Sequence, residues 1–588
     1  MSTGEDGTGP IPAELPADLL AEVEAWMAAD PDASTRAELA RLVDAGDTGA
    51  LRARFETPLS FGTAGLRGAL GAGPARMNQL VVRRTTAGVA RWLLDKGPEH
   101  ARRGLVVGRD ARHGSAEFAS DVAEVASAAG VRVLALGRPL PTPITAYAVK
   151  HLGAAAGVMI TASHNPAADN GYKVYAADGA QIVAPADVEI SAAAERVGPL
   201  SAVALGDGGE PVGEEIVDAY LAGIIAALPA TEAHEIAVVY TPLHGVGAGV
   251  LLAAFARAGF HAPHVVAAQA EPDPDFPTVP KPNPEEPGAL DLAIADAQAV
   301  GAELIVANDP DADRLAVAIP SAGERSGWRT LSGDELGALL GDFLLSHAAD
   351  PRGALVATSV VSSSLLREIA RAAGAQYAET LTGFKWIMHD TAALPGRFVF
   401  GYEQALGYAV NDVVRDKDGI SAALLVAGIA AQAKLHGRTI DHRLDELSRE
   451  FGLHATEQFS IELAGAAGAE RSAAIMAALR ATPPTELLGR PVTEVDDAAT
   501  ATRLGGDGHR AKLELPLSDV LIWRAGDRVR VIVRPSGTEP KLKVYLQVVL
   551  AVGEPPELAR ARVAAAAELA RLQREIRDLL ARADGGGR

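Results

Sequence analysis

Residues 303–314 read Glu-Leu-Ile-Val-Ala-Asn-Asp-Pro-Asp-Ala-Asp-Arg, a short apolar run that leads directly into a polar loop. The apolar run is typical of a buried strand. Asp309, Asp311 and Asp313 alternate in the loop, so their carboxylates can converge if the loop curls. Converging carboxylates repel one another unless a cation neutralises them, and oxygen ligands of this kind suit Mg²⁺. The sequence therefore predicts a magnesium site at the end of this strand, with Arg314 placed to bind a phosphate beside it.

Residues 309–320 could also be interpreted in two other ways. A calcium-binding EF-hand is excluded, because its sixth position requires Gly and holds Arg314, and its twelfth requires Glu and holds Pro320. A solvated acidic turn stays open as the alternative when the loop is considered alone.

The same alternation of short β runs and Ala-rich helices continues on both sides of this stretch. It predicts three related α/β domains with mixed, mostly parallel sheets. In each domain a strand runs into a polar loop, and ligands bind at the carboxyl ends of strands in open α/β sheets. The predicted strands are 104–109, 131–136, 155–160, 235–240, 303–307, 354–358 and 397–400, the predicted helices are 116–129, 249–258 and 364–373, and the polar loops are 161–166, 308–314 and 401–407.

The two ends of the chain differ from this pattern. Residues 1–14 are rich in Gly and Pro and predict a frayed tail, and the apolar spacing over 17–45 predicts two short amphipathic helices. Near the C-terminus, strands at 528–533 and 541–546 and a helix at 556–583 predict a separate α+β domain. The predicted domains are therefore 1–208, 209–325, 326–448 and 449–588.

Length and composition limit the possible functions. The chain has 588 residues, which suits roughly four domains. Its formal net charge of −21 argues against nucleic acid or an acidic membrane as a partner. It has no Cys, which excludes disulfides, zinc–thiolate sites and thiol nucleophiles. The N-terminus does not resemble a signal peptide, and no apolar run reaches the ~18 residues of a membrane span, so we expect a cytoplasmic protein.

A second polar loop, residues 161–166, presents Ser163 after a predicted strand. Small and turn-forming neighbours would expose its hydroxyl, but no Gly-x-Ser-x-Gly elbow surrounds it, which disfavours a serine hydrolase. A Ser that only caps the loop is the structural alternative. Asn170-Gly171 is a hairpin turn signal, and such a hairpin would bring Lys173 back towards Ser163.

Another polar loop, the donor-rich loop, spans residues 534–538, Arg-Pro-Ser-Gly-Thr. The guanidinium, the hydroxyls and the Gly backbone supply hydrogen-bond donors, as a bound phosphate dianion requires. An ordinary Pro-Ser-Gly turn between two strands is the alternative.

Taken together, these loops resemble the α-D-phosphohexomutase superfamily over nearly the whole chain. The similarity is carried by 161–166, 309–314, 401–404 and 534–538, and the motifs at 61–68, 240–246, 382–386 and 415–419 resemble its phosphoglucomutase-2-type branch. The resemblance implies four domains around a central cleft: three related α/β mixed-sheet domains and a C-terminal α+β domain.

The resemblance also implies roles for individual residues. The implied catalytic residues are Ser163, His164, Lys173 and Arg67; the substrate-binding residues are Glu403, Gln404, Lys385, Arg314, Arg534, Ser536, Gly537 and Thr538; and the Mg²⁺ ligands are Ser163, Asp309, Asp311 and Asp313. The polar loop 401–407, the sugar loop, departs from the commonest family pattern, because Gln404 replaces a frequent second acid and Ala405 replaces a hydroxyl donor.

The implied activity is the interconversion of hexose 1-phosphate and hexose 6-phosphate, with glucose as the first choice of sugar. It would proceed through a phosphoserine enzyme and a bisphosphate intermediate, with one Mg²⁺ per site and hexose 1,6-bisphosphate as activator. The alternatives are a phosphomannomutase or a phosphopentomutase with the same mechanism, or a Ser-dependent metal phosphatase. We expect sugar phosphates as the only partners, and a monomer or weak dimer whose fourth domain swings to close the cleft.

Overall fold

The protein is described by a computed structural model, which covers residues 15–62, 65–463, 468–537, 541–553 and 555–585. The predicted frayed tail, residues 1–14, lies outside the described residues.

The first domain is built on a six-stranded sheet of order β1-β5-β4-β2-β3-β6. Strands β4, β2, β3 and β6 are parallel neighbours, whereas β1 and β5 run antiparallel at one edge. Its elements are α1 Ala17–Ala29, α2 Ala33–Asp44, α3 Thr48–Phe55, β1 Leu66–Ala69, α4 Gln79–Asp95, α5 Pro98–Arg103, β2 Leu105–Arg109, α6 Ser115–Ala128, β3 Val133–Leu136, α7 Thr142–His151, β4 Ala156–Ile160, β5 Asp169–Ala176, α8 Ala186–Glu195, a 3₁₀ turn at Leu200–Ala202, and β6 Glu210–Val212.

The second domain has a five-stranded sheet of order β11-β10-β9-β7-β8, in which β7 lies parallel to both β8 and β9. Its elements are α9 Glu215–Ala227, β7 Val238–Thr241, α10 Ala248–Arg257, β8 His264–Val265, a 3₁₀ turn at Ala267–Gln269, α11 Asp291–Val300, β9 Leu304–Ala307, β10 Ala316–Pro320 and β11 Trp328–Thr330.

The third domain has a four-stranded sheet of order β13-β12-β14-β15, with β12 parallel to β13 and β14. Its elements are α12 Gly333–Ser346, a 3₁₀ turn at Pro351–Gly353, β12 Ala354–Ser359, α13 Leu365–Ala373, β13 Gln376–Thr380, α14 Phe384–Ala392, β14 Arg397–Glu403, β15 Gly407–Ala409, α15 Gly419–Leu435 and α16 Ile440–Phe451.

The fourth domain is a seven-stranded antiparallel sheet of order β16-β24-β23-β22-β19-β20-β21, together with two helices and a small hairpin. Its elements are β16 Leu453–Glu462, α17 Gly468–Ala481, β17 Glu486–Leu487, β18 Arg490–Pro491, β19 Glu494–Asp497, β20 Thr502–Gly505, β21 Arg510–Lys512, β22 Leu521–Ala525, β23 Val529–Pro535, β24 Lys541–Leu550 and α18 Pro555–Ala583.

The predicted architecture of three α/β domains and a C-terminal α+β domain is confirmed. The sheets cross two of the predicted boundaries, however. Strand β6 pairs with β3 in the first sheet although it lies beyond residue 208, and β11 pairs with β10 in the second sheet although it lies beyond residue 325. Pairing partners distant in sequence decide such edges, and the composition of the connecting segments does not reveal them.

Two local predictions were wrong, whereas the two helices predicted over 17–45 are confirmed as α1 and α2, and α3 follows them. Asn170 and Gly171 lie inside β5 and make no hairpin turn, since the connection from β4 spans residues 161–168. The polar loop predicted at 401–407 is shorter, because β14 continues through Glu403.

One continuous hydrophobic core runs through the second and third domains and includes Val106, Ile144 and Met159 of the first, and α15 is buried in it from Gly419 to Ala431. The first and fourth domains have cores of their own. In the part of the chain that the structure describes, no single helix is long and apolar enough to cross a membrane, although α15 and α16 pass that test as a pair across a 92° bend.

Candidate active site

The acidic loop lies at the carboxyl end of β9, where the strand emerges between the domains. Asp309, Asp311 and Asp313 are fully buried, and one carboxylate oxygen of each lies within 4.8 Å of the others. The loop curls because Ala312 takes a left-handed conformation with φ of +55°. The structure therefore brings together the three carboxylates that alternate in the sequence.

Two lysines from other domains hold these carboxylates in place. Lys173 on β5 donates to Asp311 Oδ2 at 2.8 Å and to Asp313 Oδ2 at 3.0 Å. Lys417, which precedes α15 in the third domain, lies 3.2 Å from Asp313 Oδ2. Positive charge therefore reaches the cluster from the first and third domains, whereas its acids come from the second.

Burial and mutual repulsion act most strongly on Asp309. Burial raises the pKa of Asp309, and the charges of Asp311 and Asp313 raise it further. Burial also raises the pKa of Asp313, but Lys173 and Lys417 outweigh this effect and leave the pKa below its usual range.

The donor set fits a hard divalent cation. Asp311 Oδ1 and Asp313 Oδ1 are buried and have no hydrogen-bond partner among the described residues. A buried carboxylate oxygen without a partner is costly, and Mg²⁺ accepts a few such oxygens together with phosphate oxygens.

Ser163 meets this cluster from the first domain. Its hydroxyl donates to Asp309 Oδ2 at 2.7 Å and lies 3.2 Å from His164 Nδ1. Ser163 also has a left-handed backbone, with φ of +52°, which is strained for a residue other than Gly. The loop after β4 thus holds this hydroxyl in one direction, towards the acids.

Arg112 explains how the strained loop is held, and the sequence analysis missed it. Its buried guanidinium donates to the carbonyls of Ser163 and Asn165, each at 2.5 Å, and to that of Pro166 at 2.8 Å. Phe276 of the second domain covers it, with its ring centroid 4.8 Å away. Arg112 stands 51 residues before Ser163, and no local pattern links the two.

The other basic residues named from the sequence lie around the same centre. Arg67 lies 3.4 Å from Asn165 Oδ1, and its Nε is buried without a partner among the described residues. Arg314 lies 3.9 Å from both Asp309 Oδ2 and Glu285 Oε2. Burial, followed by the charges of Arg314 and Arg67, holds the pKa of His164 well below its usual value.

The sugar loop begins where β14 ends. Glu403 accepts from the Gly383 backbone N–H at 2.7 Å, and the Gln404 backbone N–H donates to Ser362 Oγ at 3.1 Å. Lys385 lies elsewhere, since it lines a small cavity with Gly65 and Asp187 of the first domain, and burial lowers its pKa. Within the described residues, Lys385 makes no ion pair or hydrogen bond with the acidic cluster.

The donor-rich loop of the fourth domain connects β23 and β24. Arg534 lies beside the Tyr545 hydroxyl. Burial raises the pKa of Tyr545, Arg534 lowers it, and the charges of Glu403 and Glu285 raise it further. Ser536 donates its backbone N–H to the Lys541 carbonyl at 2.8 Å, and Gly537 is exposed. Thr538 lies outside the described residues.

A cavity of about 370 Å³ lies between the second, third and fourth domains. Glu285, Gln404 and Tyr545 line it, one from each of the three domains. Gln404 of the sugar loop and Tyr545, beside which Arg534 lies, therefore face a shared space.

A serine hydroxyl among buried carboxylates, lysines and arginines is suited to metal-assisted phosphoryl transfer. Comparison with known proteins narrows this class. Sequence models described as phosphoglucomutase/phosphomannomutase alpha/beta/alpha domains I, II and III and C-terminal domain match residues 58–199, 218–323, 332–451 and 473–549. The chain belongs to the phosphoglucomutase/phosphomannomutase family.

Curated relatives cover nearly the same length. A probable phosphomannomutase of Haemophilus influenzae is 44% identical over 478 residues, which is 80% of this chain and 92% of the relative. A probable phosphoribomutase of Schizosaccharomyces pombe is 36% identical over 89% of this chain and 92% of the relative, and a phosphoglucomutase of Staphylococcus haemolyticus is 34% identical over 84% and 91%. The chain is thus an enzyme of the phosphomutase class, an intramolecular phosphotransferase.

A solved structure shows the same fold. The phosphoglucomutase/phosphomannomutase family protein of Burkholderia thailandensis superposes with a TM-score of 0.67 at 20% identity, covering 90% of this chain and 98% of that one.

Proposed function

We propose that this enzyme interconverts hexose 1-phosphate and hexose 6-phosphate, with glucose as its sugar, and that Ser163 carries the phosphoryl group between turnovers. The observation that supports this most directly is the Ser163 hydroxyl, 2.7 Å from Asp309 in a buried acidic cluster. A hydroxyl that only caps its loop would not need three buried carboxylates beside it.

Ser163, Asp309, Asp311 and Asp313 would hold one Mg²⁺. The ion would withdraw charge from the phosphoryl group as it moves. Lys173, Arg67 and Arg314 would stabilise the equatorial phosphate oxygens during in-line transfer.

Bonds and protons balance over two transfers. In the first, the bond from phosphorus to Ser163 Oγ breaks and Oγ takes up a proton, while a bond to the free sugar hydroxyl forms and that hydroxyl gives up its proton to a base in the cleft. The product, hexose 1,6-bisphosphate, then presents its other phosphate to Ser163. In the second transfer, Oγ takes this phosphoryl group and the sugar oxygen recovers a proton.

The fourth domain would bind the phosphate that is not being transferred. Arg534, Ser536, Gly537 and Thr538 supply its donors, while Glu403, Gln404 and Lys385 are assigned to the substrate in the third domain. Binding energy from the remote phosphate would orient the reacting one, which is worth several kcal/mol or more. A closed cleft would also protect the phosphoserine from water.

A mutase specific for pentose phosphate is the second candidate, because one relative is named a probable phosphoribomutase. The decisive experiment measures kcat/KM for the 1-phosphates of glucose, mannose and ribose, with Mg²⁺ and a trace of the matching bisphosphate. We expect the highest value for glucose 1-phosphate, and a clear preference for ribose or mannose would replace glucose as the sugar.

The same assay tests Ser163. Ser163→Ala should reduce turnover to background yet bind glucose 1,6-bisphosphate nearly as well as the wild type. Ser120→Ala, which alters an exposed Ser on α6, is the matched control and should be fully active. Activity retained in Ser163→Ala would refute the assignment, and release of free phosphate without 6-phosphate product would indicate a phosphatase.

A further inference from the structure

The fourth domain contacts the third through one face of its sheet. Residues directly opposite one another on antiparallel strands point to the same face, and successive rows on that face are two residues apart. Across β16, β24 and β23, the first row is Thr456, Gln547 and Arg530, the second is Gln458, Tyr545 and Ile532, and the third is Ser460, Lys543 and Arg534.

The first row makes polar contacts with the third domain, and Arg530 and Gln547 are buried there. Arg530 is 6% exposed, and its guanidinium donates to the Ser362 carbonyl and, at 2.8 Å, to Gln547 Oε1. The same Gln547 oxygen accepts from the Ser364 backbone N–H at 3.0 Å, and Gln547 Nε2 donates to Ser364 Oγ at 2.6 Å. Thr456 donates to Asp334 Oδ2 at 2.8 Å.

The second row packs on apolar side chains of residues 360–361, which directly precede the contacts of the first row. Ile532 and Tyr545 belong to one buried cluster with Val360 and Val361, which directly precede Ser362. The segment 360–364 is therefore fixed to the fourth domain along two rows.

Ser362 carries this attachment on to the sugar loop. Its carbonyl faces Arg530, while its hydroxyl accepts from the Gln404 backbone N–H at 3.1 Å and donates to Gln404 Oε1 at 3.4 Å. Because Ser362 is only 1% exposed, water does not compete for these contacts. One residue thus joins Arg530 of the fourth domain to Gln404 of the third.

The third row lies at the cleft end of the same strands. Arg534 is four residues from Arg530 on β23, which corresponds to about 13 Å along a strand. The position of β23 against Ser362 therefore fixes both Gln404 and Arg534, although Arg530 itself contacts neither.

We propose that Arg530 and Ser362 are positioning residues that couple the placement of the fourth domain to sugar recognition by Gln404. This inference rests on the proposed function, because it takes Gln404 as a sugar contact. Its consequence is that discrimination between hexose and pentose phosphates depends on Arg530, a residue at the contact between two domains.

A double-mutant cycle between Arg530→Lys and Gln404→Ala tests the coupling, with kcat/KM measured for glucose 1-phosphate and ribose 1-phosphate. Each single variant should lower kcat/KM for the hexose by about three- to tenfold, as expected for a lost hydrogen bond, mainly through KM. The kcat/KM of the double variant should be no lower than that of the less active single variant. The ratio of kcat/KM for the hexose to that for the pentose should fall in all three variants.

Ser362→Ala provides a second variant in case Arg530→Lys fails to fold, and it should behave in the same way with Gln404→Ala. Arg562→Gln is the matched control, because it removes an exposed ion pair with Asp445, 2.6 Å across the same two domains, without touching Ser362. Thermal unfolding of each variant verifies folding, and Arg562→Gln should keep the wild-type sugar ratio.

The outcomes separate the two hypotheses. If the wild type is active and the losses multiply in the double variant, or the sugar ratio stays constant, the coupling is refuted while the proposed function stands. If the wild type converts no sugar phosphate, the proposed function fails, and the inference that rests on it fails too.

Discussion

Lys173 is kept charged in the interior by two carboxylates. Its side chain is 1% exposed, and burial alone would lower its pKa, but Asp311 and Asp313 reverse the effect and raise it. Removing one partner of a buried ion pair is much more costly than replacing both, because an uncompensated charge is left behind.

Lys173→Met should therefore destabilise the metal-free protein by about 3–5 kcal/mol, and Mg²⁺ should restore more stability to the variant than to the wild type. Thermal unfolding with and without Mg²⁺ measures both effects. Lys434→Met, which breaks an exposed pair with Glu303, should change the melting temperature very little. Equal Mg²⁺ shifts in Lys173→Met and the wild type would contradict this account.

At this scale, residues that belong to one loop could be predicted from the sequence. The alternating acids of 309–313 and Ser163 after its strand depend on local order, and the structure brings them together. Lys417 and Arg112 could not be predicted from local order, because their partners lie in other domains or far along the chain. Lys417 lies in the motif 415–419, which only the resemblance points to.

At the scale of elements, the position of the acidic loop, residues 308–314, depends on the segment that follows β7. A Cβ at Gly245 would lie 2.3–2.6 Å from three backbone atoms of Pro310, which is closer than real Cβ contacts allow. Only Gly permits this approach, so the position of the acidic loop is set by a neighbouring loop of the same sheet edge.

Gly245→Ala should therefore displace the acidic loop, lower kcat/KM at least tenfold and raise the Mg²⁺ concentration needed for half-maximal activity. A titration of activity against Mg²⁺ measures this. Gly249→Ala on α10 is the matched control, because a Cβ there meets open space and Ala favours the helix. A wild-type Mg²⁺ requirement in Gly245→Ala would show that the close approach does not matter.

Elements with strong periodicity were predictable, whereas their ends and pairings were not. The strand after residue 303 and the helix of 249–258 match β9 and α10 within about one residue. The Asn170-Gly171 turn is absent because both residues lie inside β5 and pair with β1, and a ladder of hydrogen bonds overrides a local turn preference.

At the scale of the whole molecule, the proposed site would draw on all four domains. Ser163 comes from the first, the acids from the second, Glu403 from the third and Arg534 from the fourth. Such a convergence was predictable only through the resemblance, since nothing in one segment reports its distance from another.

A ligand with phosphates at both ends should therefore stabilise the molecule more than a ligand with one. In the Ser163→Ala background, which prevents turnover, glucose 1,6-bisphosphate should raise the melting temperature more than glucose 1-phosphate at equal concentration. Arg534→Gln should remove most of the difference, whereas Arg528→Gln, an exposed change just before β23, should not. Equal shifts for both ligands would argue against a second phosphate site.

The sharing of charge at the acidic loop has a consequence for synthesis of the chain. A ribosome releases Asp309, Asp311 and Asp313 about a hundred residues before Lys417, so a half-made polypeptide carries an acidic loop that lacks one of its two lysines. Lys417 reaches the acids only once the third domain has been synthesised and has docked. Until then the nascent chain lacks a complete reaction centre.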